Sequence, residues 1–230
     1  MDNFALRTKY GFTLAEVLIT LVIVGVVAAM TIPTVINNTK KQEYVSKLKK
    51  AYSTLSQATN LIIAEEGTPK GSVGGWAYST ENLFRLYKNK LALSKDCGTN
   101  SGCFQQVNET GPKYLHGRSH EPINFNTNSN FPYYRLILSD GAQVAFIASG
   151  AAYSSCTATK AGVNNVCVEI TVDINGEKSP NQWGRDWFRF LVTEDGLKPA
   201  GNDNNSADCS SNNNGQSCAA RVLKENAINY

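Results

Sequence analysis

Histidine is scarce in this chain, charge is sparse, and the short motifs that announce catalysis are missing. Only two histidines are present, and charged residues make up 18% of 230 positions. His116 and His120 stand four apart, a spacing that would align them for a metal on a helix. Gly117 and Pro122 argue against a helix there, so a surface loop is expected. There is no nucleophile elbow, no phosphate-binding glycine loop and no zinc-protease helix, which points away from an enzyme. The net charge is +3, the pI is near 8.5, and no lysine–arginine stripe is interleaved with aromatics. Nucleic-acid binding is therefore not indicated. No internal repeat is present.

What the chain does have is one long apolar run. Phe12 to Ile32 supplies the ~20 residues that a membrane-spanning helix needs. A single carboxylate, Glu16, lies within it. Acidic residues in such runs cost ~2.5–3.5 kcal/mol even on mild insertion scales, so one that is present has a partner and a task. Arg7 and Lys9 precede the run and hold the amino terminus in the cytoplasm, so the rest of the chain faces outward. A plain signal anchor is one reading. A cleaved secretory signal is another, because Val27, Ala28 and Ala29 offer small residues to a signal peptidase. Against that reading, the run is long, Glu16 breaks its start, and helix-compatible sequence continues beyond Pro33.

A short polar leader followed by Gly11-Phe-Thr-Leu-Ala-Glu16 closely resembles the type III signal of type IV pilins and type II secretion pseudopilins. The resemblance implies a membrane peptidase that cuts between Gly11 and Phe12 and then methylates the new amine of Phe12. A proline near position 33 is usual in that family and implies a kink, or a stretch that melts on assembly. Glu16 stands one helical turn beyond Phe12, so its carboxylate can face its own amine or that of an adjacent subunit. In low dielectric an unpaired charge is costly, so pairing across subunits would neutralise both groups and set the axial stagger. The bland alternative is that Glu16 snorkels to the headgroups.

Cys97, Cys103, Cys156, Cys167, Cys209 and Cys218 follow the apolar run as three close pairs. Six cysteines allow fifteen pairings, and the sequence alone does not choose among them. Pairing of neighbours is the expectation, because each pair brackets a Gly-, Asn- or Ser-rich loop. An outside location is oxidising and favours disulfides over thiols. Zinc competes, but no pair has the two-residue spacing of a zinc knuckle.

After Pro33 the pattern changes. Val45, Leu48, Tyr52, Leu55, Thr59 and Ile62 form the stripe of an amphipathic helix. Gly67, Thr68 and Pro69 end it. A single helix from Phe12 to Glu66 would measure ~80 Å. Gly71 to Phe131 reads as loop with a short helix at Thr80 to Leu91. Tyr134–Leu138 and Gln143–Ala148 flank Ser139-Asp140-Gly141-Ala142 and read as a hairpin. The alternation from Val166 to Ile174 marks a half-buried third strand, and Phe188 to Thr193 a fourth. Gly201 to Gln216 is Asn- and Ser-rich, pinned by its cysteines, and Ala219 to Asn226 reads as a closing helix. The fold class is α+β, with a long amino-terminal helix laid on a three- or four-stranded antiparallel sheet. The expected organisation is a leader at 1–11, a membrane and polymerisation helix at 12–33, an amphipathic half at 34–66 and an outer head at 67–230.

One loop invites a metal. Val172 to Phe188 places oxygen ligands at Asp173, Asn175, Glu177, Asn181 and Asp186, and alternating Asp and Asn before a Gly is similar to calcium loops. It also resembles the head-domain loop of the major pseudopilins, some of which hold calcium. Glu177, Lys178 and Pro180 depart from the EF-hand spacing. The plain alternative is a turn in which Asp173 and Asn175 bond local backbone, with Trp183 and Trp187 in the core.

The resemblance implies a filament subunit of a type IV pilus or a type II secretion pseudopilus. Its partners would be other pilin subunits, a prepilin peptidase and an inner-membrane assembly platform. It would pass once through the cytoplasmic membrane before joining a surface filament. A minor tip subunit, a membrane-anchored binding protein that does not polymerise, and a secreted enzyme cut near Ala29 are the other readings.

Overall fold

A computed structural model describes residues 11–69, 79–100, 102–104, 111–118, 133–147, 155–201 and 209–230. Residues 1–10 of the leader, with Arg7 and Lys9, and His120 lie outside them. The chain divides into two units, Met1–Lys40 and Lys41–Tyr230. Helix α1, Leu14–Glu66, contributes residues to both.

In the first unit, every described side chain is exposed except that of Ala28, which is half-buried. This part of α1 is long and apolar enough to cross a membrane, with a mean hydropathy of 2.5. Its hydroxyls need no outside partner, since Thr20, Thr31 and Thr39 donate to the carbonyls of Val17, Val27 and Val35. Such back-bonding satisfies a polar group inside an apolar segment. Pro33 lies within the helix. It has no N–H to give the carbonyl one turn back, which makes it the weakest point of the run.

In the second unit, α1 buries Val45, Leu48, Ala51, Leu55, Ala58, Thr59 and Ile62. Tyr52, half-buried, stacks obliquely on Phe190 at 5.6 Å. Helix α2, Thr80–Lys90, is capped by Ser79, whose side chain accepts from Asn82 N. It packs Leu83, Phe84 and Tyr87 into the same core. Thr59 donates its hydroxyl to Leu55 O at 2.7 Å and lies 2.6 Å from Tyr87 OH, so two buried hydroxyls satisfy each other.

The sheet has six antiparallel strands rather than three or four. They are β1 (Leu93–Gly98), β2 (Tyr134–Leu138), β3 (Gln143–Ile147), β6 (Val168–Asp173), β7 (Trp187–Thr193) and β8 (Gly196–Pro199), in that spatial order. Between β3 and β6 the chain makes a separate hairpin of β4 (Ala158–Lys160) and β5 (Val163–Val166). Helix α3, Ala219–Glu225, closes the chain. The β2–β3 turn works because Gly141 takes a φ of +89° and Asp140 accepts from Ala142 N.

Strands β6 and β7 are buried along their whole length, which corrects the half-buried reading of the third strand. Their α1-facing side carries Val168, Ile170, Val172, Phe188, Phe190 and Val192. The opposite side is roofed by loops carrying Cys103, Phe104 and Trp183, packed with Cys97 at the end of β1. Polar residues beneath that roof are paired. Glu169 meets Arg189 at 2.7 Å, and the guanidinium of Arg135, itself 0% exposed, donates to Thr99 O and Asn100 O at 2.6 Å. A roof of loops needs staples, and bonds Cys97–Cys103, Cys156–Cys167 and Cys209–Cys218 join neighbours in sequence.

Candidate membrane-anchoring and assembly site

Gly11, Phe12 and Thr13 precede the helix and are exposed, Phe12 by 89%. Helix α1 begins at Leu14 because Thr13 and Glu16 close a reciprocal cap. Thr13 N and Thr13 Oγ1 each donate to Glu16 Oε2 at 2.8 Å, and Glu16 N donates back to Thr13 Oγ1 at 3.2 Å. This is the capping box of a helix amino terminus, in which a threonine and a glutamate three residues on satisfy each other's free backbone donors. The carboxylate also stands where the helix dipole favours negative charge. A Cβ added at Gly11 would meet no heavy atom within 4 Å. The chain's own packing therefore does not demand glycine at that position.

Residues 6–32 match the family model of the prokaryotic N-terminal methylation motif. They carry the prepilin-type signal of type IV pilins and pseudopilins. The matched stretch contains Gly11, Phe12, Thr13 and Glu16 and ends just before Pro33. No curated protein and no solved structure matches the chain. The pilin-type family that bears this signal is structural rather than enzymatic. Together with the exposed apolar helix, the prepilin-type signal supports membrane anchoring.

The candidate cation loop joins β6 to β7. Asp173 and Asp186 are both buried, at 2% and 0% exposure. Asp173 Oδ1 accepts from Asn175 N at 3.1 Å. Asp186 accepts from Asn181 N at 2.8 Å and from Gln182 N at 2.6 Å. Burial pushes both carboxyls up, Asp173 well above its usual range with a further push from the charge of Asp186, and Asp186 to about 6. Asn175 gives its amide NH₂ to Ser179 O, while its Oδ1 is buried without a hydrogen-bond partner. Glu177 instead accepts from Gln143 Nε2 at 2.8 Å. Among the described residues, no three of the His, Cys, Asp and Glu side chains group to hold a metal ion. Asp173 and Asp186 spend oxygens on the loop's own backbone N–H groups, which leaves the unpartnered Asn175 Oδ1 as the loop's open acceptor.

Two residues of these sites escape a reading of the sequence. Thr13 has a signal, the Thr-x-x-Glu spacing of a capping box, hidden by the apolar context. Tyr44 has none. It stands one residue before the first buried position of α1, half-buried, and its phenol is pushed up by burial and then by the charge of Asp186. A cleft of about 490 Å³ between the β4–β5 hairpin and the β7–β8 turn is lined by Asn164, Asn165, Glu194, Asp195 and Lys198. None of the residues singled out from the sequence lines it.

Proposed function

We propose that this chain is a filament subunit of a type IV pilus or a type II secretion pseudopilus. A membrane peptidase cuts it after Gly11, Phe12 is methylated, and the amino-terminal helix carries it into a helical polymer. One observation supports this above the others. The chain exposes apolar side chains from Phe12 to Ile36, and Glu16, the one carboxylate in that stretch, stands one turn beyond the proposed cut. Exposed apolar surface of that extent marks a membrane or subunit contact.

Before assembly the helix lies in the cytoplasmic membrane with the leader inside, and the head, with its three disulfides, faces the oxidising side. The partners are other subunits, the prepilin peptidase and the inner-membrane assembly platform. In the polymer, Glu16 pairs with the Phe12 amine of an adjacent copy, and Pro33 marks where the helix yields. Amino-terminal sequencing of the mature protein tests the cut: the chain should begin at Phe12. A start near Met30, as for a secreted enzyme, would overturn the reading. Glu16→Ala should insert and be cut normally, yet fail to enter sheared surface filaments. A wild-type chain found only as an anchored monomer would favour a binding protein that displays its head without polymerising.

A second proposal rests on the orphaned Asn175 Oδ1. Calcium held by Asp173, Asn175 and Asp186, with backbone carbonyls or water, would relieve the repulsion of the two carboxylates. Chelation should then lower the melting temperature, and millimolar magnesium should not restore it. An unchanged melting temperature would leave the loop a plain turn.

A further inference from the structure

The charges of the second unit are sorted by end. Strand β3 begins where β6 finishes, since Gln143 pairs with Asp173. The β2–β3 turn and the β6–β7 loop therefore share one end of the sheet. A Cβ added at Gly176 of that loop would lie 2.8 Å from Gly141 O of that turn. Helix α1 brings Tyr44 and Lys50 to the same end. Lys50 Nζ meets Asp140 Oδ2 at 3.0 Å, and the charge of Arg185 reaches the phenol of Tyr44. Further along α1, Asn60 Oδ1 stands 3.2 Å from the Cβ position of Gly196, where β8 starts at the opposite end.

The first end is basic. Lys41, Lys47, Lys49 and Lys50 lie on α1, and Lys178 and Arg185 come from the β6–β7 loop. Two of them are matched locally, Lys47 by Glu43 at 2.8 Å and Lys50 by Asp140. Among the described residues, Lys41, Lys49, Lys178 and Arg185 enter no ion pair. Glu177, the loop's own half-buried carboxylate, is engaged by Gln143. The opposite end reverses the sign: the last turn of α1 and the β7–β8 turn carry Glu65, Glu66, Glu194 and Asp195.

Chain length ties the basic end to the apolar run. Ile36 is the last large apolar side chain of the exposed run, and Lys41 follows so soon that the two lie within roughly 18 Å by any path. An anchored chain thus holds Lys41 near the lipid headgroups. Glu66 stands ~37 Å further along α1. Lysine near an anionic leaflet is attracted to it, and its flexible stem lets the ammonium reach a phosphate.

We propose that the basic end docks the head on the outer surface of the membrane that anchors it, with Lys41, Lys178 and Arg185 binding anionic phospholipid phosphates. The inference rests on the anchored state in the reading above and deepens it by giving the head a seat before assembly. The acidic end of a second copy is the competing occupant. The tether favours lipid, because it acts on each chain before any copy arrives.

The test reconstitutes the full chain in vesicles of phosphatidylcholine alone and of phosphatidylcholine and phosphatidylglycerol in equal parts. A membrane-impermeant amine reagent labels outward heads, and mass spectrometry reads Lys41 and Lys178 against Lys198 in β8. Anionic vesicles should lower both ratios about 5-fold, the scale of one lysine at an anionic surface. High salt should restore them. With Lys178→Gln and Arg185→Gln together, both at exposed positions, Lys41 should label faster in anionic vesicles than it does in wild type. Equal ratios in the two vesicles would overturn the docking. So would an unchanged Lys41 in the double variant, which is the result expected of surface potential alone. A fall that grows with the number of chains per vesicle would assign the surface to a second copy and overturn it too. A chain that floats with neither vesicle would defeat the anchored reading beneath it.

Discussion

The first unit and the second answer the same question, where apolar side chains go, in opposite ways. From Lys41 onward, α1 turns one stripe inward, and Leu48, Leu55 and Ile62 reach 0% exposure. Before Lys40, α1 buries nothing of its own, and Leu14, Val22 and Met30 are 78%, 65% and 74% exposed. Among the described residues of the second unit the core is closed, β6 and β7 are covered on both faces and the cysteines are paired. The first leaves its apolar side chains uncovered by the rest of its own unit, and surface of that kind marks a membrane or subunit contact. A single helix thus contains a segment whose stability is local and one whose stability must be supplied from outside.

The largest effect expected from this contrast is on solubility. A chain beginning at Lys41 should remain in solution without detergent and unfold cooperatively, whereas the full chain should require detergent. Gel filtration of the two decides it, and an aggregated shorter chain would break the comparison. Next in size is a core truncation. Leu55→Ala should cost about 2–5 kcal/mol of head stability. Leu21→Ala, 63% exposed in the apolar run, should change it by less than about 0.5 kcal/mol. Denaturant melts in detergent compare them, and equal losses would show that the two units share one core.

Replacing Cys209 and Cys218 together by serine should remove ~2–3 kcal/mol, the value for so short a loop, again only in the head. The smallest effect is on pH. Folded Asp186 holds its proton to about pH 6, above its ordinary value of 3.8. The folded state therefore binds that proton more tightly than the unfolded chain. The resulting stability is full below the ordinary value and is lost as pH rises through about 6. With chelator present, melting temperature should fall across that window, and a flat profile would show that the Asp173–Asp186 pair is relieved in another way.

Much of this contrast is legible in the sequence, because periodicity carries it. The stripe from Val45 to Ile62 is visible, and so are the unbroken apolar run before Pro33 and the Asp140-Gly141 turn. The outer strands are not. In β1, Ser-Lys-Asp-Cys-Gly lacks alternation, and β8 holds a Gly and a Pro in four residues, so only pairing with β2 and β7 makes them strands. The burial of Glu169, Thr171 and Asp173 is also hidden. It depends on loops that return from distant parts of the chain, which no local pattern encodes. Around the helix start, the spacing of Thr13 and Glu16 is legible, but the division of bonds between the two carboxylate oxygens is not. The contact of Tyr44 with the Asp186 loop joins residues far apart in sequence.

The excursion between β3 and β6 has a consequence for how such a protein can diversify. Ile147 and Glu169 are register partners on adjacent strands, so the chain leaves the main sheet and re-enters it at neighbouring points. The β4–β5 hairpin between those points packs Val166 with Leu191 of β7 and Ala200, Ala161 O accepts from Gly201 N at 2.8 Å, and the Cys156–Cys167 bond ties the hairpin near its exit. Lengthening such a segment costs only ~0.6 kcal/mol per doubling, and the strands on either side keep their register. New surface chemistry can be written into the exposed part of that hairpin, at Thr159 and Asn164 for instance, while the sheet and α1 go unedited. Chains that differ outwardly there keep the same strand register and the same helix.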